Sequence, residues 1–148
     1  MTSMTELKKG RKVQGIIYYK NKDGGLSILG LHRTPEEGGF WQPLTGTVEE
    51  GESYEECLVR ELQEETGITN DRITKIEGPI NSFQWSRDNT LYEELVYSVE
   101  VSSETQVQLS DEHDEYRWIT PVETKVMFKF QEIKDGIDIL NGKESKTN

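Results

Sequence analysis

The chain has 148 residues, with 17 Lys and Arg against 28 Asp and Glu and a formal net charge of −11. That balance argues against duplex nucleic acid or an anionic membrane as a main partner, because both repel an acidic surface. The length suits one domain that buries about two-thirds of its unfolded surface, and the single cysteine, Cys57, rules out an intrachain disulfide.

Met1 to Gly10 has no apolar stretch and reads as a flexible lead, with neither a secretory signal nor a membrane span. The cytoplasm is therefore the default compartment. Val13 to Tyr19 is a strand candidate, Asn21 to Gly25 is turn-rich and Leu26 to His32 reads as a second strand, so a hairpin is predicted. Arg33 to Gly39 is a loop, and Phe40 to Leu44 leads into a Glu-rich segment. Further on, Ile73 to Ile76, Ile80 to Trp85 and Tyr92 to Val101 are strand-like, the last two joined across Ser86–Thr90. Tyr116 to Ile119 is a short strand inside Glu112–Ile119. Thr120-Pro121-Val122-Glu123 begins a helix with Pro at its first position. The spacing of Val122, Val126, Met127, Phe130, Ile133, Ile137 and Leu140 predicts one helix with an apolar stripe, followed by a polar tail from Asn141 to Asn148. The order of elements is that of a mixed α/β domain over residues 11–141, and no internal repeat is visible.

Between Gly46 and Ile68 the residues read G-x5-E-x7-R-E-U-x-E-E-x-G-U, with U aliphatic. Seven fixed positions at about one chance in 15 each give roughly 10⁻⁸ per starting point. Ser53 and Glu56 have the form of a capping box, and Gly67 stands where a left-handed turn ends a helix. At roughly 100° per residue, Glu61, Glu64 and Glu65 share one arc, while Leu58, Val59, Leu62 and Thr66 occupy the adjoining one that faces a core. Like charges at this spacing destabilise a helix by a few tenths of a kcal/mol each. A hard divalent cation reverses that repulsion, because oxygen-rich sites suit magnesium, manganese or calcium.

This pattern is the Nudix box, and the chain resembles the Nudix hydrolases, which cleave nucleoside diphosphates linked to a further group. The resemblance implies an α/β/α sandwich, with a mixed β-sheet between the box helix and a C-terminal helix. It implies catalytic roles for Arg60, Glu61 and Glu64, with Arg60 orienting the glutamates. Glu64 is either the base or a further ligand. Phe40-Trp41-Gln42-Pro43-Leu44-Thr45-Gly46 resembles the segment entering the box in dihydroneopterin triphosphate and nucleoside triphosphate pyrophosphatases. Carried over, Arg33 and Thr45 become substrate-binding candidates, with a guanidinium suited to bidentate phosphate contact, and Trp41 is either a further one that stacks a base or a core residue at a strand edge. Glu112-His113 followed by Tyr116-Arg117-Trp118 resembles those enzymes and the diadenosine tetraphosphate hydrolases. It makes Glu112 a further ligand beside Gly46 (through its carbonyl), Glu61, Glu64 and Glu65, while His113 reads as structural or solvent-exposed. Phe83 and Trp85 are candidates to stack a base, with at least one of them assigned to the core.

The implied cofactor is Mg2+, with Mn2+ as the alternative, and the implied partner is a small nucleoside polyphosphate, with a homodimer allowed. The expected reaction converts a nucleoside or pterin triphosphate to the monophosphate and pyrophosphate. Dinucleoside polyphosphates, nucleotide sugars and a non-catalytic nucleotide sensor are the alternatives.

Overall fold

A 13-residue strand, β1 (Lys8–Lys20), is the spine of the molecule. Residues 7–103 and 105–145 are described by the computed structural model. On one side β1 runs parallel to β6 (Thr90–Val101) from Lys8 to Tyr18. On its other side two strands share its length. Lys12 to Gly15 pair antiparallel with β4 (Leu44–Thr47), and Tyr18 to Lys20 with β2 (Leu26–Arg33). β2 also pairs with β3 (Trp41–Gln42) and β7 (His113–Ile119), and β5 (Ile73–Arg87) lies antiparallel outside β6. The result is a mixed seven-stranded sheet.

Because side chains alternate along a strand, β1 serves two cores. Val13 and Ile17 join Leu44, Leu58, Leu62, Tyr97 and Val99 beneath α1 (Tyr54–Thr66). Ile16 and Tyr18 join Ile28, Val96, Phe128, Ile133 and Ile137 beneath α3 (Gln131–Ser145). Each buried aliphatic side chain contributes about 1.5–3 kcal/mol by leaving water. The expected α/β/α sandwich is therefore the observed one, with helices on both faces of a mixed sheet. Among the described residues no helix is long and apolar enough to cross a membrane.

Several expected boundaries move. Lys8 to Gly10, assigned to the lead, already belong to β1, while residues 1–6 lie outside the described residues. Ile73–Ile76 and Ile80–Trp85 are one strand, interrupted by register shifts after Ile73 and between Glu77 and Asn81. The turn into β6 has Asp88 and Asn89 at φ 51° and 63°, the two residue types that best tolerate that region in a tight hairpin.

The predicted single helix from Val122 is two helices. α2 (Pro121–Met127) starts with a Thr120–Glu123 capping box and stops at Phe128, whose backbone is extended. Phe128 leaves helical geometry to bridge Trp41 in the sheet, and it sinks to 1% exposure in the second core. That turn takes Val122 and Val126 off the apolar stripe, leaving them 74% and 85% exposed. The predicted polar tail is helical as far as Ser145, because Glu144 accepts a 2.7 Å hydrogen bond from Tyr18 and ion-pairs with Lys20 and Lys75. Residues 146–148 lie outside the described residues.

Candidate active site

The start of α1 is fixed by its own sequence. Ser53 Oγ accepts from the Glu56 N–H at 3.0 Å, and Glu56 Oε1 accepts from the Ser53 N–H at 2.9 Å, which completes the capping box. Gly67 ends the helix at φ 73°. Leu58, Leu62 and Thr66 face the first core and are fully buried.

The three glutamates of the helix, expected on one stripe, meet different environments. Glu61 and Glu65 are buried at 9% and 7% exposure, while Glu64 is exposed. Glu61 lies directly over Gly46 of β4, where a Cβ on residue 46 would come within 2.3 Å of Glu61 Cγ. A glycine is thus the only residue that lets the carboxylate lie flat on the strand. Burial is the main cause that pushes the Glu61 carboxyl up to about 7. Arg60 opposes the shift, and the charges of Glu65 and Glu64 add to it.

Arg60 is the hub of the segment. It grips Glu52 with two hydrogen bonds, at 2.8 and 3.0 Å, and reaches Glu61 at 3.1 Å and Glu64 at 3.2 Å. Its Nη2, one of the two nitrogens on Glu52, also donates to the Thr47 carbonyl at 3.1 Å. One guanidinium therefore joins the end of β4, the loop before the helix and two of the acidic side chains. Arg60 is the principal cause that holds the Glu52 carboxyl down at about 2. Cys57 is buried beside it and donates to the Thr47 carbonyl at 3.4 Å, and its thiol is pushed up to about 12 mainly by burial. That is an inert thiol.

Glu65 is held from the opposite side. His113 Nδ1 lies 3.2 Å from Glu65 Oε2, and Ser110 Oγ donates to the same oxygen. Burial lowers the His113 pKa, so the neutral ring donates through Nδ1. Of the two readings of His113, structural or exposed, the structural one holds: it is buried and partners the Glu65 carboxylate. Its position directly after Glu112 was the available signal, and for Ser110 there was none. Glu112 itself is exposed at the end of the same loop. Its carboxyl is raised by partial burial first and then by the charge of Glu65. The Glu112 carbonyl accepts from Thr34 N at 3.1 Å, which ties this loop to the one after Arg33.

The donors fit a hard divalent cation, since Gly46, Glu61, Glu64, Glu65 and Glu112 all offer oxygen. The charges of Glu65 and Glu64, which add to the effect of burial on Glu61, point the same way. Among the described residues no three acidic, His or Cys side chains converge on one point as they stand. Glu64 ion-pairs with Arg60, and Glu112 is exposed but near enough to Glu65 for that charge to raise its carboxyl.

On the α3 face of the sheet lies a cavity of about 740 Å³. Lys12, Arg33 and Arg87 bring positive charge to it, and Phe40, Phe83, Trp85 and Phe130 bring aromatic surface. Thr45 lines it too, so Arg33 and Thr45 border the same cavity. Trp41 does not line the cavity. Its ring packs on the second core, 5.0 Å from the His32 ring and 5.2 Å from the Arg117 guanidinium. From β3 it is Gln42 that borders the cavity. Phe83 and Trp85 are two residues apart on β5 and share a face, so both line it, although Phe83 also touches the second core. The cavity and the carboxylates meet at β4. Thr45 faces the former and Gly46 the latter, and Lys12 Nζ donates to Thr47 Oγ1 at 2.7 Å between them.

Comparisons with known proteins agree with this fold. Bis(5'-nucleosyl)-tetraphosphatase [asymmetrical] from Sus scrofa is 36% identical over 98 residues, covering 64% of this chain and 65% of that protein. Octanoyltransferase from Myxococcus xanthus is 31% identical over 122 residues, 82% of this chain, although the match spans only 34% of that protein. Among solved structures, a C. elegans Ap4A hydrolase binary complex superposes with a TM-score of 0.81 at 20% identity, covering 93% of this chain and 98% of that one. The NUDIX domain pattern matches residues 9–137, so the chain belongs to the NUDIX domain family.

Proposed function

We propose that the protein is a metal-dependent pyrophosphohydrolase that cleaves a nucleoside or pterin triphosphate to the monophosphate and pyrophosphate. The observation that carries this reading is the meeting, across β4, of buried carboxylates with a cavity of cationic and aromatic walls. Nudix hydrolases generally use divalent metal ions, and such an ion, when bound, neutralises charge at the scissile bridge and activates water for in-line attack on phosphorus.

The chain's own groups have distinct tasks in this scheme. Glu61, Glu65, Glu112 and the Gly46 carbonyl hold Mg2+ or Mn2+. Arg60 fixes the glutamates, and His113 with Ser110 fixes Glu65. Glu64, exposed at the rim, takes the proton from the attacking water or adds a ligand. Arg33 and Lys12 bind the phosphate chain, Thr45 borders it, and the aromatic walls hold the head group.

A second reading keeps the chemistry and changes the substrate to a dinucleoside polyphosphate. The observation favouring it is the similarity to the pig bis(5'-nucleosyl)-tetraphosphatase. The deciding experiment is turnover of nucleoside triphosphates, dihydroneopterin triphosphate, diadenosine tetraphosphate and nucleotide sugars with magnesium or manganese, products resolved, alongside Glu64→Gln. Conversion of triphosphates to monophosphate and pyrophosphate, lost in the variant, supports the first reading. Activity confined to dinucleotides moves the assignment to the second. Silence on every phosphoanhydride refutes both.

A further inference from the structure

One carboxylate in the cavity wall has no part in phosphoanhydride cleavage. Glu94 on β6 is 6% exposed and lines the cavity on the sheet face opposite Glu61. Its Oε2 accepts from Gln14 Nε2 at 2.8 Å and its Oε1 from Trp85 Nε1 at 3.0 Å. Each oxygen keeps a further lone pair. Burial raises the carboxyl's pKa, and the two donors together with the charge of Lys12 oppose that rise.

A carboxylate is an expensive group to bury, and an apolar side chain would complete the neighbouring core of Val96, Phe83 and Ile133 more cheaply. Its surroundings fix its direction. The Trp85 indole that holds Oε1 is itself stacked on Tyr92, with ring centroids 4.5 Å apart and planes at 28°. Two oriented oxygens, held by donors from β1 and β5, face a pocket with aromatic walls.

We propose that Glu94 is the residue that reads the head group, selecting a heterocycle with a ring N–H beside an exocyclic amine, as in guanine and the 2-amino-4-oxopteridines. Two parallel N–H groups match the two carboxylate oxygens in a bidentate contact. Adenine and cytosine present an amine beside a bare ring nitrogen, and uracil presents one N–H flanked by carbonyls. Each of those sets lone pair against lone pair, which penalises the wrong head group. The inference rests on the proposed function, which makes this cavity the head-group pocket.

The test is calorimetric binding of the 5'-monophosphates of guanosine, inosine, adenosine and uridine to the full chain, with no turnover involved. Inosine differs from guanosine only in lacking the 2-amino group. The expected result is about tenfold or more weaker binding of the inosine compound, the loss of one hydrogen bond to a charged group, with adenosine and uridine weaker still. Glu94→Gln should bring the guanosine and inosine affinities together. Equal affinities in the unmodified chain, tighter adenosine binding, no binding of any of the four, or a preference unchanged in Glu94→Gln would each overturn the proposal. The guanosine–inosine comparison needs no variant, so misfolding of Glu94→Gln leaves the proposal testable. A guanosine preference without turnover of any phosphoanhydride would refute the catalytic reading alone, and turnover without the preference would refute this inference alone.

Discussion

The two faces of the sheet are built by different means. On the α1 face the reactive groups come from one short stretch, Gly46 to Glu65, organised by a capping box, a helix and one arginine. On the α3 face the cavity draws on β1, the loop after β2, β4, β5, β6 and the start of α3, from Lys12 to Ile133. The reactive face is a local device, and the recognition face exists only once distant strands have paired. Chemistry and specificity are thereby separable, and substitutions on one face should leave the other's property standing.

Arg60→Ala should break the reactive face most severely. It leaves Glu52, Glu61 and Glu64 without their shared cation, so three like charges are set against one another on one short segment. The variant should unfold at distinctly lower urea and lose turnover, while any folded fraction still binds the head group. Retention of full stability would show the Arg60 contacts to be ornamental.

The acidic excess on the same face makes a pH prediction. The Glu61 carboxyl stands at about 7 in the fold against 4.5 ordinarily. A raised carboxyl pKa means that the folded state favours the protonated form, so this contribution is complete below about pH 4.5. It is lost as pH rises through about 7, a change of up to roughly 2–3 kcal/mol. Thermal melts with chelator should reveal that decline, and a divalent cation should flatten it. A slope indifferent to the cation would separate Glu61 from metal binding.

Gly46→Ala probes the seam between the faces. The added methyl must displace Glu61, and a misplacement of about 1 Å costs on the order of 10²-fold in rate. The fall should lie in kcat, with nucleoside affinity on the α3 face retained. A KM effect with kcat preserved would mean that the seam does not separate the two functions.

Phe40→Ala sharpens the comparison from the recognition side. Phe40 meets Phe130 edge-on at 5.8 Å and carries the Arg33 guanidinium 5.8 Å from its ring centroid. Removing it should raise KM roughly tenfold with kcat little changed, the signature of lost uniform binding. A collapse of kcat instead would place the Phe40 loop in the reactive machinery.

What could be read without the fold follows the same division. The capping box, the Gly67 stop and the box helix are encoded by neighbours within a few residues, and the sandwich followed from element order. The arc of Glu61, Glu64 and Glu65 was also legible, but their different burial was not. It depends on β4 passing under Glu61 and on His113 and Ser110 arriving from a loop far along the chain. Helical periodicity misled at Val122 and Val126, because the local pattern carries no trace of the pull that Trp41 and the second core exert on Phe128.

Sequence alone determined the family, the helix with its caps, and the oxygen-rich character of the reactive segment, since each rests on interactions within about one or two helical turns. Tertiary structure decided which carboxylates are buried, which strand face each aromatic occupies, and that Glu94 stands in the cavity wall between Gln14 and Trp85. Those properties depend on register between strands distant in sequence, such as those that bring Gln14 to Glu94, 80 residues on, and a shift of a single residue would turn every side chain to the other face.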